Sequence, residues 1–207
     1  MKTLILIDIQ NDFCTGGALA IPDGDAVVPV ANRLMSNFEM TIASQDWHPA
    51  NHKSFASQKE GISVGETFQL NGLTQMAWPD HCIQGSRGAQ LVETLEKHSI
   101  DRIFTKGTDP EIDSYSAFFD NGHRAATGLG DFLKSNNVTE VFAMGLATDY
   151  CVKFTVLDAL KLGFETKLIV DGCRGVELNE GDIDKAIQEM KDAGAEIVTE
   201  AEISIGQ

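Results

Sequence analysis

Short apolar runs alternate with helix-like patterns along the whole chain, and few architectures accept that order. The segments 3–9 (TLILIDI), 39–45 (EMTIASQ), 101–106 (DRIFTK), 139–145 (TEVFAMG), 165–171 (ETKLIVD) and 195–200 (AEIVTE) read as strands. Helical patterns fall at 25–38, 88–98, 127–136, 148–162 and 181–193. Several strands are almost continuously apolar, which suits parallel strands covered on both faces. Strands alternating with helices imply βαβ units with right-handed crossovers, hence a three-layer α/β/α sandwich around a mostly parallel sheet. No linker, repeat or low-complexity tract divides the 207 residues, so residues 1–207 are expected to form one domain. The stretch 46–87 fits no regular element, and an irregular segment of that length is usually functional.

The charge balance removes whole classes of partner. A net charge of −15 would repel both nucleic acid and an anionic membrane surface. Apolar residues make up 43% and charged residues 23%, enough for a substantial core. The four cysteines, Cys14, Cys82, Cys151 and Cys173, are scattered and form no C-x-x-C pair. The opening apolar run is cut by Asp8 before it reaches the length of a signal-peptide core, and no stretch approaches a membrane span. A cytoplasmic protein with reduced thiols is expected. An oligomer is left open.

Open α/β sheets bind their ligands outside the carboxyl ends of the strands. Asp8 lies at the end of the first predicted strand, Asp46 and His48 just after the second, Lys106 at the end of the third, and Cys151 follows the fourth. Taken singly, Asp8 in DIQNDF could cap a turn and Lys106 could face solvent. Together, an acid and a base end neighbouring strands. A lysine within reach of Asp8 would neutralise that desolvated carboxylate and stabilise a nearby thiolate.

Cys151 sits in GLATDYCVKFT (145–155), in the first turn of a helix expected from about Thr148, whose buried stripe is Val152, Val156, Ala159 and Leu160. Buried cysteine is common as a small apolar residue, so periodicity alone leaves packing and chemistry equally open. The start of a helix favours a negative sulfur, which is expected to lower the thiol pKa, and its free N–H groups could hold an oxyanion. Asp8 and Lys106 converging on the same sheet edge decide for chemistry.

A metal site is the second candidate. In SQDWHPANHKSF (44–55), Asp46 and His48 are two apart and can face the same side of an extended segment. His81 of WPDHC (78–82) could complete a two-histidine, one-carboxylate set suited to zinc or iron, and His52 could be a fourth ligand or an outer partner. The alternative is surface histidines in a polar loop, which D-x-H spacing does not exclude. Two other patterns fail. DPEIDSYSAFFD (109–120) has Ser114 where a calcium loop needs glycine and Asp120 where it needs glutamate, and GLGDFL (128–133) lacks the third glycine of a dinucleotide fingerprint.

The set DIQNDF, QDWHPANHKSF, WPDHC, the lysine of TKG, and MGLATDYC resembles the isochorismatase-like cysteine hydrolases, in family order and over essentially the whole chain. The resemblance implies a six-stranded parallel sheet with helices on both faces. Within the family it points to the branch that hydrolyses nicotinamide, and pyrazinamide-type amides, in NAD salvage. It implies a catalytic triad of Asp8, Lys106 and Cys151, and an oxyanion hole from the amides of Ala147 and Cys151 with a cis peptide before Ala147. It also implies metal ligands Asp46, His48 and His81, with His52 less secure, and a pyridine pocket of Phe13, Trp78 and Tyr115. One divalent ion is expected, zinc or iron before manganese. The alternatives are another amidase of this fold, such as an N-carbamoyl hydrolase, or a metal- or thiol-binding protein without turnover. True isochorismatases lack the nucleophilic cysteine, so Cys151 counts against that activity.

Overall fold

In a computed structural model, which describes residues 1–205, six strands form one parallel sheet. They are β1 (Lys2–Ile7), β2 (Met40–Asp46), β5 (Arg102–Lys106), β6 (Glu140–Leu146), β7 (Glu165–Arg174) and β8 (Glu196–Val198), while β3 (Thr67–Leu70) and β4 (Leu73–Met76) pair separately. Their order across the sheet is β5-β2-β1-β6-β7-β8. β1 and β6 are apolar and buried along nearly their whole length, as central strands with helices on both faces require. The chain winds outward from β1 to β2 and β5, then returns to β6 on the other side. That reversal puts the topological switch point between β1 and β6, where ligands of such sheets bind.

The helices are α1 (Val27–Met35), α2 (Leu129–Ser135), α3 (Lys153–Lys161), α4 (Asp182–Asp192) and α5 (Glu200–Ile205). α1 shows why these segments fold as they do. Val27, Val28, Val30, Ala31, Leu34 and Met35 form its buried stripe, while Asn32 and Arg33 stay on the outer face. α4 carries Asp182 and Asp184 in its first turn and Lys191 in its last, matching the helix dipole. Among the described residues, no helix is long and apolar enough to cross a membrane.

Two expectations fail, each for a physical reason. The segment 88–98 is not a helix; only Lys97–Ser99 makes a helical turn. Its apolar residues Ala89, Leu91, Val92 and Leu95 are indeed buried. Much of its backbone, however, bonds to the chain after β1, and only isolated turns such as Leu95 N–H to Val92 O close within the segment. Asn11 donates to Gln90 O (3.0 Å), Asp12 to Gly88 O (3.0 Å), and Val92 to Ile9 O (3.0 Å). The stretch 46–87 is not wholly irregular either. It holds an antiparallel hairpin of β3 (Thr67–Leu70) and β4 (Leu73–Met76). Its two-residue turn is Asn71–Gly72 with φ of 49° and 84°, both positive as a type I′ turn demands. The Asn-Gly pair was the signal for it.

Candidate active site

β2 and β5 end together, with Asp46 and Lys106 as register partners. β1 ends one residue before Asp8, whose φ of 49° turns the backbone at the strand's end. Cys151 follows β6 in a π-helical turn, Thr148–Val152, that leads into α3; it lies in a wider turn than the expected α-helical start. The peptide between Leu146 and Ala147 is cis. Four strand ends therefore deliver Asp8, Asp46, Lys106 and Cys151 to one place, and all four are buried.

Lys106 is the hub. Its Nζ lies 2.9 Å from Asp8 Oδ2 and donates to Asp46 Oδ1 (2.5 Å), to Ser114 O (2.8 Å) and to Cys151 Sγ (3.4 Å). Burial alone would strip the lysine of its proton, but Asp46 and Asp8 overcome it and hold the ammonium well above the usual range. Asp8 Oδ1 accepts from Ser44 Oγ (2.7 Å). Burial, opposed by Lys106, raises the Asp8 pKa above that of an ordinary carboxylate. A carboxylate shifted upward is better placed to trade protons near neutral pH. For Asp46, burial pushes up, but Lys106 and the neighbouring histidines win and keep it ionised.

The thiol departs from expectation. Burial pushes the Cys151 pKa well above that of a free thiol; Lys106 pulls it down, and Asp8 and Asp46 add to the upward shift. Desolvation and two nearby carboxylates outweigh the start of the helix. Raised in this way, the thiol favours its protonated form, and a nucleophile here calls for a base to remove the proton. Asp8 lies in the same cluster, where ligand-type atoms of Asp8, Asp46 and Cys151 are all within 4.8 Å of one another.

Asp46, His48 and His81 converge as expected. Asp46 Oδ2 is 3.4 Å from His48 Nε2 and 3.7 Å from His81 Nε2. Tetrahedral zinc with ligands at about 2.0–2.2 Å spaces its donor atoms roughly 3.3–3.6 Å apart. The far ring nitrogens are already committed: His48 Nδ1 donates to Gly107 O (2.8 Å) and His81 Nδ1 to Pro79 O (2.7 Å). This fixes the tautomer that leaves Nε2 with its lone pair inward. His48 Nε2 is buried and hydrogen-bonds to no described group, the state of a donor atom built for an ion. The three residues fit a divalent cation. Gly107 has φ of 63°, and a Cβ there would meet His48 Cε1 at 2.4 Å, so only glycine lets the histidine seat. His52 groups differently. Its Nδ1 pairs with Ser54 Oγ (2.7 Å), and its ligand-type atom clusters with those of His48 and Asp113, not with Asp46 and His81.

A narrow cavity joins the two sets. Cys151, Ala147, Asp46 and His81 line it, with Phe13, Trp78 and Tyr115 among the aromatic residues of its wall. Tyr150 and Asp113 also line it and were not expected from the sequence. Tyr150 packs edge-on against Trp78, ring centres 4.8 Å apart. Its position next to Cys151 in sequence was the available signal; nothing in the sequence marked Asp113, whose role in the failed calcium pattern hid it.

The isochorismatase domain signature matches residues 2–202. Over 205 residues the chain is 56% identical to the nicotinamidase of Escherichia coli, covering 97% of this chain and 96% of that protein. A nicotinamidase–pyrazinamidase of Acinetobacter baumanii superposes with a TM-score of 0.95 at 40% identity, covering 98% of this chain and 97% of the other. The pyrazinamidase of Pyrococcus horikoshii, solved in complex with zinc, superposes with a TM-score of 0.78 at 36% identity, covering 96% and 98%.

Proposed function

The chain belongs to the isochorismatase family, and from that membership we propose that it is a single-domain amidase that hydrolyses nicotinamide to nicotinate and ammonia. The observation that carries this reading is the buried thiol of Cys151, 3.4 Å from Lys106 and facing a cavity walled by Phe13, Trp78 and Tyr115. A flat pyridine ring suits aromatic walls, and its amide then reaches the sulfur.

The residues divide the work as follows. Asp8 removes the Cys151 proton as the sulfur attacks the amide carbon, because the buried thiol does not ionise unaided. The amides of Ala147 and Cys151 hold the oxygen of the tetrahedral intermediate. Asp8 returns its proton to the departing nitrogen, and ammonia leaves a thioester on Cys151. Water then attacks the thioester with Asp8 again as base, releasing nicotinate and restoring the thiol. Lys106 keeps the charge of this cluster balanced throughout.

Asp46, His48 and His81 would hold one divalent metal, zinc or iron before manganese; zinc is supported by the zinc complex of the Pyrococcus horikoshii relative. Held there, such an ion would supply Lewis-acid chemistry beside the cavity, toward a pyridine nitrogen and a bound water. Pyrazinamide-type amides share the ring nitrogen and fit the same reading. The four free cysteines support a reduced, cytoplasmic setting. Ammonia release from nicotinamide by purified, reduced, metal-loaded protein is the direct test; no release overturns the assignment.

A further inference from the structure

Gln75, on β4 of the hairpin and outside the parallel sheet, is buried at 3% exposure, although none of the chemistry above uses it. Its amide nitrogen lies 2.8 Å from Met76 O, 3.1 Å from Asp113 Oδ2 and 3.2 Å from Tyr115 Oη. The first two partners only accept, which fixes the amide with its nitrogen toward them. Tyr115 Oη also accepts from Trp78 Nε1 at 3.2 Å. The amide's two N–H bonds serve three acceptors, so the one toward Tyr115 Oη is shared, and this buried side chain sits against the hydroxyl that also accepts from Trp78.

The hairpin that carries Gln75 is itself anchored to the segment bearing Asp113 and Tyr115. Asn71 Nδ2 donates to Glu111 O (2.7 Å), and Arg124 donates to Asn71 O (2.7 Å). The Trp78 and Tyr115 rings stand nearly perpendicular, at 88°, and both face the cavity. Without Gln75 the Tyr115 hydroxyl loses one partner and Asp113 Oδ2 loses its donor, both in a site with little water to replace them. Neither Lys106 nor Cys151 hydrogen-bonds to Gln75 directly; the path to them runs through Asp113 and the Ser114 backbone, so the Tyr115 ring is the nearer target of the change.

Resting on the nicotinamide reading, we infer that Gln75 is a positioning residue for substrate, setting the angle of the Trp78–Tyr115 wall through Tyr115 Oη. The test compares Gln75→Leu and Tyr115→Phe, singly and together, in the metal-loaded enzyme. Gln75→Leu is expected to raise KM for nicotinamide and Kd for nicotinate about tenfold, the loss of roughly one buried hydrogen bond. kcat should stay within about twofold, with alkylation of Cys151 by iodoacetamide and bound metal unchanged. In the Tyr115→Phe background the Gln75→Leu effect should shrink, because the relay atom is already gone.

If Gln75→Leu does not fold, Gln75→Met, which keeps the length of the side chain without its amide, must still raise KM for nicotinamide without lowering kcat. Unchanged KM and Kd in an active background overturn this inference and leave the nicotinamidase reading standing. So does a fall in kcat matched by slower alkylation, which would mean a general structural role. A wild-type protein that releases no ammonia from nicotinamide overturns both.

Discussion

Lys106 Nζ sits 2.9 Å from Asp8 Oδ2 and 2.5 Å from Asp46 Oδ1, so a single ammonium joins the candidate general base to the candidate metal ligand. The ammonium lowers the proton affinity of both carboxylates, with the histidines helping at Asp46, and the two carboxylates in turn favour the charged lysine. The thiol and metal sets are therefore electrostatically one unit.

Lys106→Met keeps the apolar stem and removes the charge. In metal-free protein it should cost about 3–5 kcal/mol of stability, the usual result of stranding buried charge, read from urea unfolding. Since the ammonium lowers the Cys151 pKa, its loss should move the alkylation profile to higher pH. An unmoved profile would remove Lys106 from the triad.

Cys151→Ala should abolish turnover together with inactivation by thiol reagents. Alanine at Cys14 or Cys173 should leave both intact, because neither lines the cavity. Cys82 is buried with Gln10 Nε2 3.4 Å from its sulfur, so its replacement should affect stability before chemistry. A turning-over Cys151→Ala enzyme would return the residue to packing.

Asp8→Asn preserves shape without the capacity to take and return a proton. Folding, metal content and nicotinamide binding should persist, while turnover falls roughly 10²- to 10⁴-fold. Were Asp8 only a turn residue, its φ of 49° would suit asparagine equally well and activity would barely change. Steady-state kinetics beside a binding titration separate the two.

Chelation should remove one ion per chain and most activity while leaving the far-UV circular dichroism nearly unchanged, since the ligands lie at the sheet edge and its loops. Replacing Asp46, His48 or His81 should each weaken metal binding by about 10-fold or more. His52→Asn should matter less, because His52 groups with Asp113 and not with the other two ligands. Elemental analysis and competition with a chromogenic chelator report both. Full activity in metal-free protein would exclude the role.

The sequence alone carried the parallel sheet and its functional edge. The apolar runs of β1 and β6 could be buried on both faces only as central strands, and Asp8, Asp46 and Lys106 stand at strand ends, where each charge finds a partner in place of water. Local chemistry also sufficed for the Asn71–Gly72 hairpin, a signal present but unread. Segment 88–98 was different: periodicity reports which side chains are buried, not whose carbonyl accepts each N–H, and here Gly88, Gln90 and Val92 find their partners in residues 9–12. The thiol's pKa likewise escaped local reading, because it depends on desolvation and on two carboxylates delivered by other strands. Gln75 and Tyr115 are 40 positions apart, and only the packed hairpin brings their polar atoms to 3.2 Å. Periodicity and strand ends are properties of neighbours in sequence; proton affinity and a shared hydrogen bond are properties of neighbours in space.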